Sequence, residues 1–306
     1  MDKNSSGAVG TLTHVSQGFA LKRMLAPLLG HPRAAHIIKW SVYLALVVNF
    51  GFYFNDDWQA FQSSLGGHAD LEETLESFAT SIDVVAWLGL VFLFELETYI
   101  LSDEAFKGWV PGALLIMRLA CYGSIGYAAY GYIAIELDNF KTTPITGLTD
   151  LCTIADQATA IQLDQVAFEN ITRENCEHIS SGPPFFQIDQ NLSVIDSPTL
   201  DHVQKMGVVD VVNAFTWLIV VFFIEVEIRM QSADRFGSRA LTWVRRTKTL
   251  FYGVLWINAL IWLVTDYPMY TYDAMLWIVG FWAIELNLAE WEQERVEELS
   301  HPQTQP

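Results

Sequence analysis

Eight charged side chains stand within or at the ends of apolar stretches: Lys39, Arg118, Lys248, Glu95, Glu97, Glu225, Glu227 and Glu285. Their spacing repeats. Lys39, Arg118 and Lys248 are each followed four residues on by a tyrosine (Tyr43, Tyr122, Tyr252) and ten on by Asn49, Ala128 or Asn258. Tyr53, Tyr132 or Trp262 stands at plus fourteen. A companion series opens at Asp83, Asn213 or Asp273 and carries Trp87, Trp217 or Trp277 four residues later. It has Glu95, Glu225 or Glu285 at plus twelve and Glu97, Glu227 or Asn287 at plus fourteen. A charge at bilayer depth costs roughly 2.5–3.5 kcal/mol and is retained when paired or solvated. The chemistry on offer is therefore ion pairing between bases and acids, within one unit or around a ring. It has two uses: a structural lock on helix register, or a charged inner-side network on an ion or solute path. Asn49 and Asn258 fall ~15 Å beyond their bases on a helix, near mid-membrane. A side-chain amide there needs a neighbouring helix or water, so both are read as interhelical hydrogen bonds or as path lining.

Such residues need helices to position them. At roughly 100° per residue, positions 0, 4, 10 and 14 of the first series share one stripe of about 120°. Positions 0, 4 and 14 of the second series also fall together, whereas position 12 lies about 120° away. Glu95 and Glu97 thus address different neighbours. Trp87, Trp217 and Trp277, one turn from the outer end, are expected at the membrane interface. Six apolar runs supply the helices, at 37–54, 84–101, 110–135, 208–224, 249–265 and 274–289. A span needs about 17–25 residues, so the shorter runs lean on protein neighbours. The predicted fold is an all-α membrane protein: six transmembrane helices as three repeated helical hairpins (pseudo-threefold), with a small extracytoplasmic insert.

The net charge of −18 is unevenly placed, and that sets the orientation. Lys22, Arg23 and Arg33 precede the first run and Lys39 stands at its start, Lys107 follows the second, and Arg229, Arg235, Arg239, Arg245, Arg246 and Lys248 lie between the fourth and fifth. The intervening loops are acidic; the larger, from Leu137 to Met206, has ten acids against Lys141, Arg173 and Lys205. Basic loops stay cytoplasmic. The predicted organisation is a cytoplasmic N-terminal segment at 1–36 with an interfacial amphipathic helix (12–29), and transmembrane helices 1–3 at 37–136. An extracytoplasmic loop at 137–206, transmembrane helices 4–6 at 207–290 and an acidic cytoplasmic tail at 291–306 follow. Both termini are expected in the cytoplasm, and the location is the inner (plasma) membrane. The acidic outer face argues against nucleic-acid partners and suits cations or a basic protein. The expected partners are the lipid bilayer and a second copy or another membrane protein.

Of the three cysteines, Cys121 lies inside an apolar run and Cys152 and Cys176 in the outer loop, where an oxidising compartment permits a disulfide. Thr153–Glu177 lacks Gly and Pro and is compatible with a helix. An unbroken helix would hold the two thiols ~36 Å apart, so a Cys152–Cys176 bridge requires the segment to fold back. Pro183 and Pro184 mark a loop whose Phe185 and Phe186 are expected to dip onto the bundle. No histidine falls within an apolar run, so paired-histidine haem ligation is not expected. No Walker loop, dinucleotide fingerprint or zinc-spaced cluster is present, and neither metal nor cofactor is expected. No nucleophile stands with its base, so an enzyme is not expected. The two-helix units with inner-side charges share the layout of mitochondrial carriers, but the carriers' Pro-x-acid-x-x-base signature is missing from all three, and the chain is not assigned to that family. The functional expectation is a channel- or transporter-like protein moving an ion or small solute through a charged bundle. The alternative is a non-transporting membrane scaffold or sensor subunit acting through its acidic extracytoplasmic loop.

Overall fold

The computed structural model describes residues 32–65, 74, 78–97, 101, 108–155, 157, 160–165, 167–188, 193–232, 238–282 and 285. The expected interfacial helix at 12–29, the acidic tail and Asn287 lie outside the described residues. The chain is mainly helical. Helices α1 (Pro32–Leu65), α2 (Ala79–Glu95), α3 (Val110–Lys141), α4 (Ser197–Ser232) and α5 (Ser238–Val264) are followed by α6 at 268–282. Among the described residues, three are long and apolar enough to cross a membrane: Val110–Lys141, Ser197–Met230 and Arg239–Val264. The described part of α2 has 17 residues, at the lower limit for a span.

Local signals explain the ends. Asp57 of α1 accepts the Ser81 backbone N–H at 2.8 Å, capping α2 from a neighbouring helix. Proline in the first turn starts α3, where no intrahelical N–H is needed. Asp196 precedes α4 and accepts the Thr199 N–H at 3.0 Å, an N-cap geometry. Between α5 and α6 the chain turns on Asp266, whose φ of 68° is tolerated by aspartate better than by bulky residues. The Tyr267 N–H then returns to the Trp262 carbonyl at 2.8 Å. At the end of α2 the hydrogen-bond ladder widens, with Leu101 N–H reaching the Leu96 carbonyl five residues back.

Consecutive helices from α1 to α5 pack on one another. Helix α6 joins α5 through the Thr271 hydroxyl, which donates to the Ala259 carbonyl at 3.3 Å. It closes on α1 at Gly280, where an added Cβ would stand 3.2 Å from Leu46 Cδ1, so the absence of a side chain permits the approach. Leu46, Leu90, Val220, Ile224, Leu255 and Phe281 fill the centre, all at 1% exposure or less. Large apolar side chains such as Trp40, Ile116, Phe222, Trp243 and Leu250 cover the outside. That inversion suits a bilayer, since a soluble surface rarely carries so much apolar area.

The insert between α3 and α4 corrects the helical reading of Thr153–Glu177. Its strands β1 (Ala160–Gln162), β2 (Phe168–Asn170), β3 (Phe185–Gln187) and β4 (Val194–Asp196) form one sheet in the order β2-β1-β4-β3. β1 pairs antiparallel with β2 and parallel with β4, and β3 pairs antiparallel with β4. Intrinsic helix compatibility lost to tertiary burial: Leu151, Ile161, Ile171, Cys176, Phe185 and Val194 make a small core of their own. Cys152 and Cys176 are joined in a disulfide with Cα atoms 5.0 Å apart. Phe185 therefore packs inside the insert, not on the bundle, while Phe186 sits against Ile195, Leu200 and Val203 where β4 enters α4.

Candidate functional site

The marked residues sort into three stacked layers. In the first, each base meets the position-twelve glutamate of its own unit. Lys39 Nζ lies 2.9 Å from Glu95 Oε2, Arg118 Nη1 3.0 Å from Glu225 Oε1, and Lys248 Nζ 3.1 Å from Glu285 Oε2. The tyrosines one turn on join these pairs. Tyr43 donates to Glu95 at 2.7 Å and Tyr122 to Glu225 at 2.8 Å, while the Tyr252 hydroxyl lies against Glu285 without a hydrogen bond of ordinary length.

The position-fourteen glutamates reach the next unit. Glu97 Oε2 lies 2.6 Å from Arg118 Nη2, and Glu227 bonds both Lys248 and Arg245. Two residues on a helix are separated by roughly 200°, which is why adjacent glutamates serve two different bases. The charges are thus linked along the ring, and Arg118 also lies 5.4 Å from the Phe94 ring. Removing one partner from such a buried pair is far more costly than never having had the pair.

The second layer is aromatic. The ring centroids of Trp87 and Trp217 are 5.9 Å apart, those of Trp87 and Trp277 6.1 Å, and Phe281 touches all three tryptophans. The expectation of interfacial indoles is corrected: Trp217 and Trp277 are 7% exposed and Trp87 packs against the central core. The physical reason lies one turn away. Trp87 and Trp277 hydrogen-bond Asp83 and Asp273, so the polar edge of each indole is satisfied inside the bundle and its faces are left to pack.

The third layer lies on the side of the insert. Asn49 Nδ2 donates to Asp273 Oδ1, and Asp273 also accepts from Tyr53. Asp83 is within electrostatic reach of Asp273. Tyr132 neighbours Asp83, Asp210, Asp273 and Tyr270, yet is 44% exposed. Gln165 of the insert donates to Asp210 Oδ2 at 2.6 Å, tying the sheet to α4. Several buried polar atoms have no hydrogen-bond partner, among them Asn49 Oδ1, Asp83 Oδ1, Asn213 Oδ1 and Asn258 Nδ2. Asn258, expected on a path, is 3% exposed.

The sequence reading named the first layer and the two asparagines but gave Asp83, Asp210, Asp273 and Tyr132 no site. A signal existed for two of them, since an aspartate four residues before a tryptophan places a carboxylate over an indole N–H. Asp210 and Gln165 carried none, because their meeting depends on the insert folding over the bundle. Outside the helices, Asp196 is buried, which alone would raise its carboxyl. Hydrogen bonds from Thr199 and Ser181 outweigh that and hold it below the ordinary aspartate value. Among the described residues no group of three or more His, Cys, Asp or Glu is placed to hold a metal ion. No known protein family, curated protein or solved structure matches this chain.

Proposed function

We propose that this chain crosses the inner (plasma) membrane six times, as three helical hairpins about a pseudo-threefold axis, and moves an ion or small solute along that axis. Both termini and the basic loops are cytoplasmic, and the disulfide-bonded insert is outside, where oxidation is permitted. The repeated base–glutamate pairs and the meeting of the three tryptophans support the hairpin repeat. One observation carries the transport reading: Tyr132 shares a helix face with Arg118 and Tyr122, has carboxylates of three other helices around it, and is still 44% exposed. On this reading Tyr132 lines the outer mouth of the path. The mouth ends on the tryptophan layer, which acts as the closed barrier in this conformation, as apolar constrictions do in gated pores.

The apolar, packed centre favours a second reading, a scaffold or sensor that transports nothing and works through its acidic outer domain. Flux separates the two. Purified protein in liposomes is assayed for cation and solute uptake, with Trp87→Ala as the variant that thins the barrier. Transport predicts a higher flux in the variant than in the parent. Absence of flux from both leaves the scaffold reading. Orientation is tested with a reporter active only in the cytoplasm: on when fused after Arg239, off when fused at Gly147, and the opposite pattern rejects the assignment.

A further inference from the structure

Helix α5 divides its cations between two sides. At roughly 100° per residue, Arg239, Trp243, Arg246 and Leu250 fall in one stripe of about 60°, while Lys248 stands about 180° from Arg239 and Arg245 about 120°. Burial follows that division. Lys248, Leu255, Ala259 and Trp262 are buried, and Lys248 and Arg245 both bond Glu227. On the other side Arg239 and Arg246 are exposed, with Trp243 at 72% and Leu250 at 67%. Neither Arg239 nor Arg246 forms an ion pair among the described residues, and α5 contains no Asp or Glu. The stripe continues through Gly253, Ile257 and Val264. An added Cβ at Gly253 would meet nothing within 4 Å, and Ile257 and Val264 are exposed.

We propose that Arg239 and Arg246, with Trp243 between them, bind the phosphate headgroup of an acidic phospholipid in the leaflet that faces the basic loops, its acyl chains lying along Leu250, Gly253 and Ile257. Depth supports this. Arg239–Val264 is 26 residues, ~39 Å of helix, against a hydrocarbon layer of ~30 Å. With Val264 at one boundary, Arg246 stands close to the other, and Arg239 lies ~10 Å beyond it among the headgroups. Side chains on a helix lean toward its N-terminus. The Trp243 indole and the Arg246 guanidinium therefore lean out of the hydrocarbon, toward Arg239, and the Arg246 stem covers apolar surface on the way. A guanidinium meets a phosphate with two parallel N–H donors. An indole settles at this level with its ring among the chains and its N–H toward the polar groups.

Charge and surface together select the ligand. Two exposed cations on a helix without acids favour a headgroup with net negative charge over a zwitterionic one, each arginine near an acidic surface changing binding by about fivefold. The apolar stripe that runs on from Arg246 favours a lipid over free phosphate, because only a lipid has chains to lay along Leu250 and Ile257. The inference rests on the membrane placement proposed for α5 and not on transport.

Full-length protein in detergent micelles is mixed with equal amounts of phosphatidylglycerol and phosphatidylcholine. The lipid that stays with it through size-exclusion chromatography is counted by mass spectrometry. The parent is expected to retain phosphatidylglycerol in preference. Arg239→Gln and Arg246→Gln each lower that preference by about fivefold, and the double variant by about twenty-fivefold. Arg229→Gln, on α4 and beside Glu225, removes an arginine that is 71% exposed and leaves the preference unchanged. Arg246→Lys decides the matter should Arg246→Gln misfold: it keeps the charge but not the two-pronged contact, and it loses part of the preference. The site is rejected by a parent without preference, by a double variant that retains phosphatidylglycerol as the parent does, or by Arg229→Gln acting as strongly as Arg246→Gln, which would mean diffuse charge. Inorganic phosphate that displaces the lipid where sodium chloride of equal ionic strength does not would reject it in favour of a free-phosphate site. A reversed orientation reporter with the preference intact keeps the site and discards the topology; the expected reporter pattern without the preference does the opposite.

Discussion

Replacing Arg118 by Met removes the centre of the charged layer and nothing else of similar size. The guanidinium bridges Glu97 and Glu225 with a side chain 12% exposed, against 23% and 9% for the two acids. Loss of one partner from a buried pair costs roughly 3–5 kcal/mol because the other charge is left in low dielectric. Two features pull this case to the lower end. Glu225 keeps the Tyr122 hydroxyl at 2.8 Å and has Arg229 at 3.5 Å, and Glu97 is open enough for water to replace Arg118. The expected loss is thus about 3 kcal/mol, nearly all of it at Glu225. Melting temperature and the monodisperse fraction on size-exclusion chromatography of detergent-solubilised protein measure it. Arg118→Met should melt well below the parent, Arg118→Met with Glu225→Gln should recover most of the loss, and Arg118→Met with Glu97→Gln should recover little. A single variant that melts with the parent would mean the layer is solvated, and the structural-lock argument would fail with it.

Three further outcomes are expected. Cys152→Ser with Cys176→Ser opens a bridge of sequence separation 24, which should cost the insert about 3 kcal/mol; free thiols in the oxidised parent, measured by alkylation and mass spectrometry, would contradict it. A Cβ on Gly207 would meet only the end of the Glu136 side chain, which can swing aside while the helix gains about 1 kcal/mol from alanine. Gly207→Ala should therefore melt within a few degrees of the parent; a large loss would show that the Glu136 carboxylate is fixed in place. Asp196 has a lowered carboxyl pKa, so its contribution is full above the unfolded value of about 3.9 and is lost as pH falls through the folded value below it. Acid melts of the insert should lose this pH dependence in Asp196→Asn, and an unchanged profile would show that the cap does not sense acid.

Sequence alone determined the helical character, the apolar runs and the residues of the charge layer, because each is local. A period of 3.6 converts spacing into a helix face, and a charge in an apolar run demands a partner wherever the chain goes. It also showed that Glu95 and Glu97 must address different neighbours, though not that one takes Lys39 and the other Arg118. Tertiary structure decided what depended on distant segments meeting. Trp87 and Trp277 turn inward because Asp83 and Asp273 satisfy their N–H groups inside the bundle, a choice the interfacial preference of indole does not reveal. Within the range 153–177 the chain forms the short strands β1 and β2 and no long helix among its described residues, because a shared core and a disulfide outweigh helix propensity of a few tenths of a kcal/mol per residue. The acidic layer on the side of the insert needed both. Asp83 and Asp273 stand in plain view four residues before their tryptophans, but only packing brings Asn49 to Asp273 and Gln165 to Asp210.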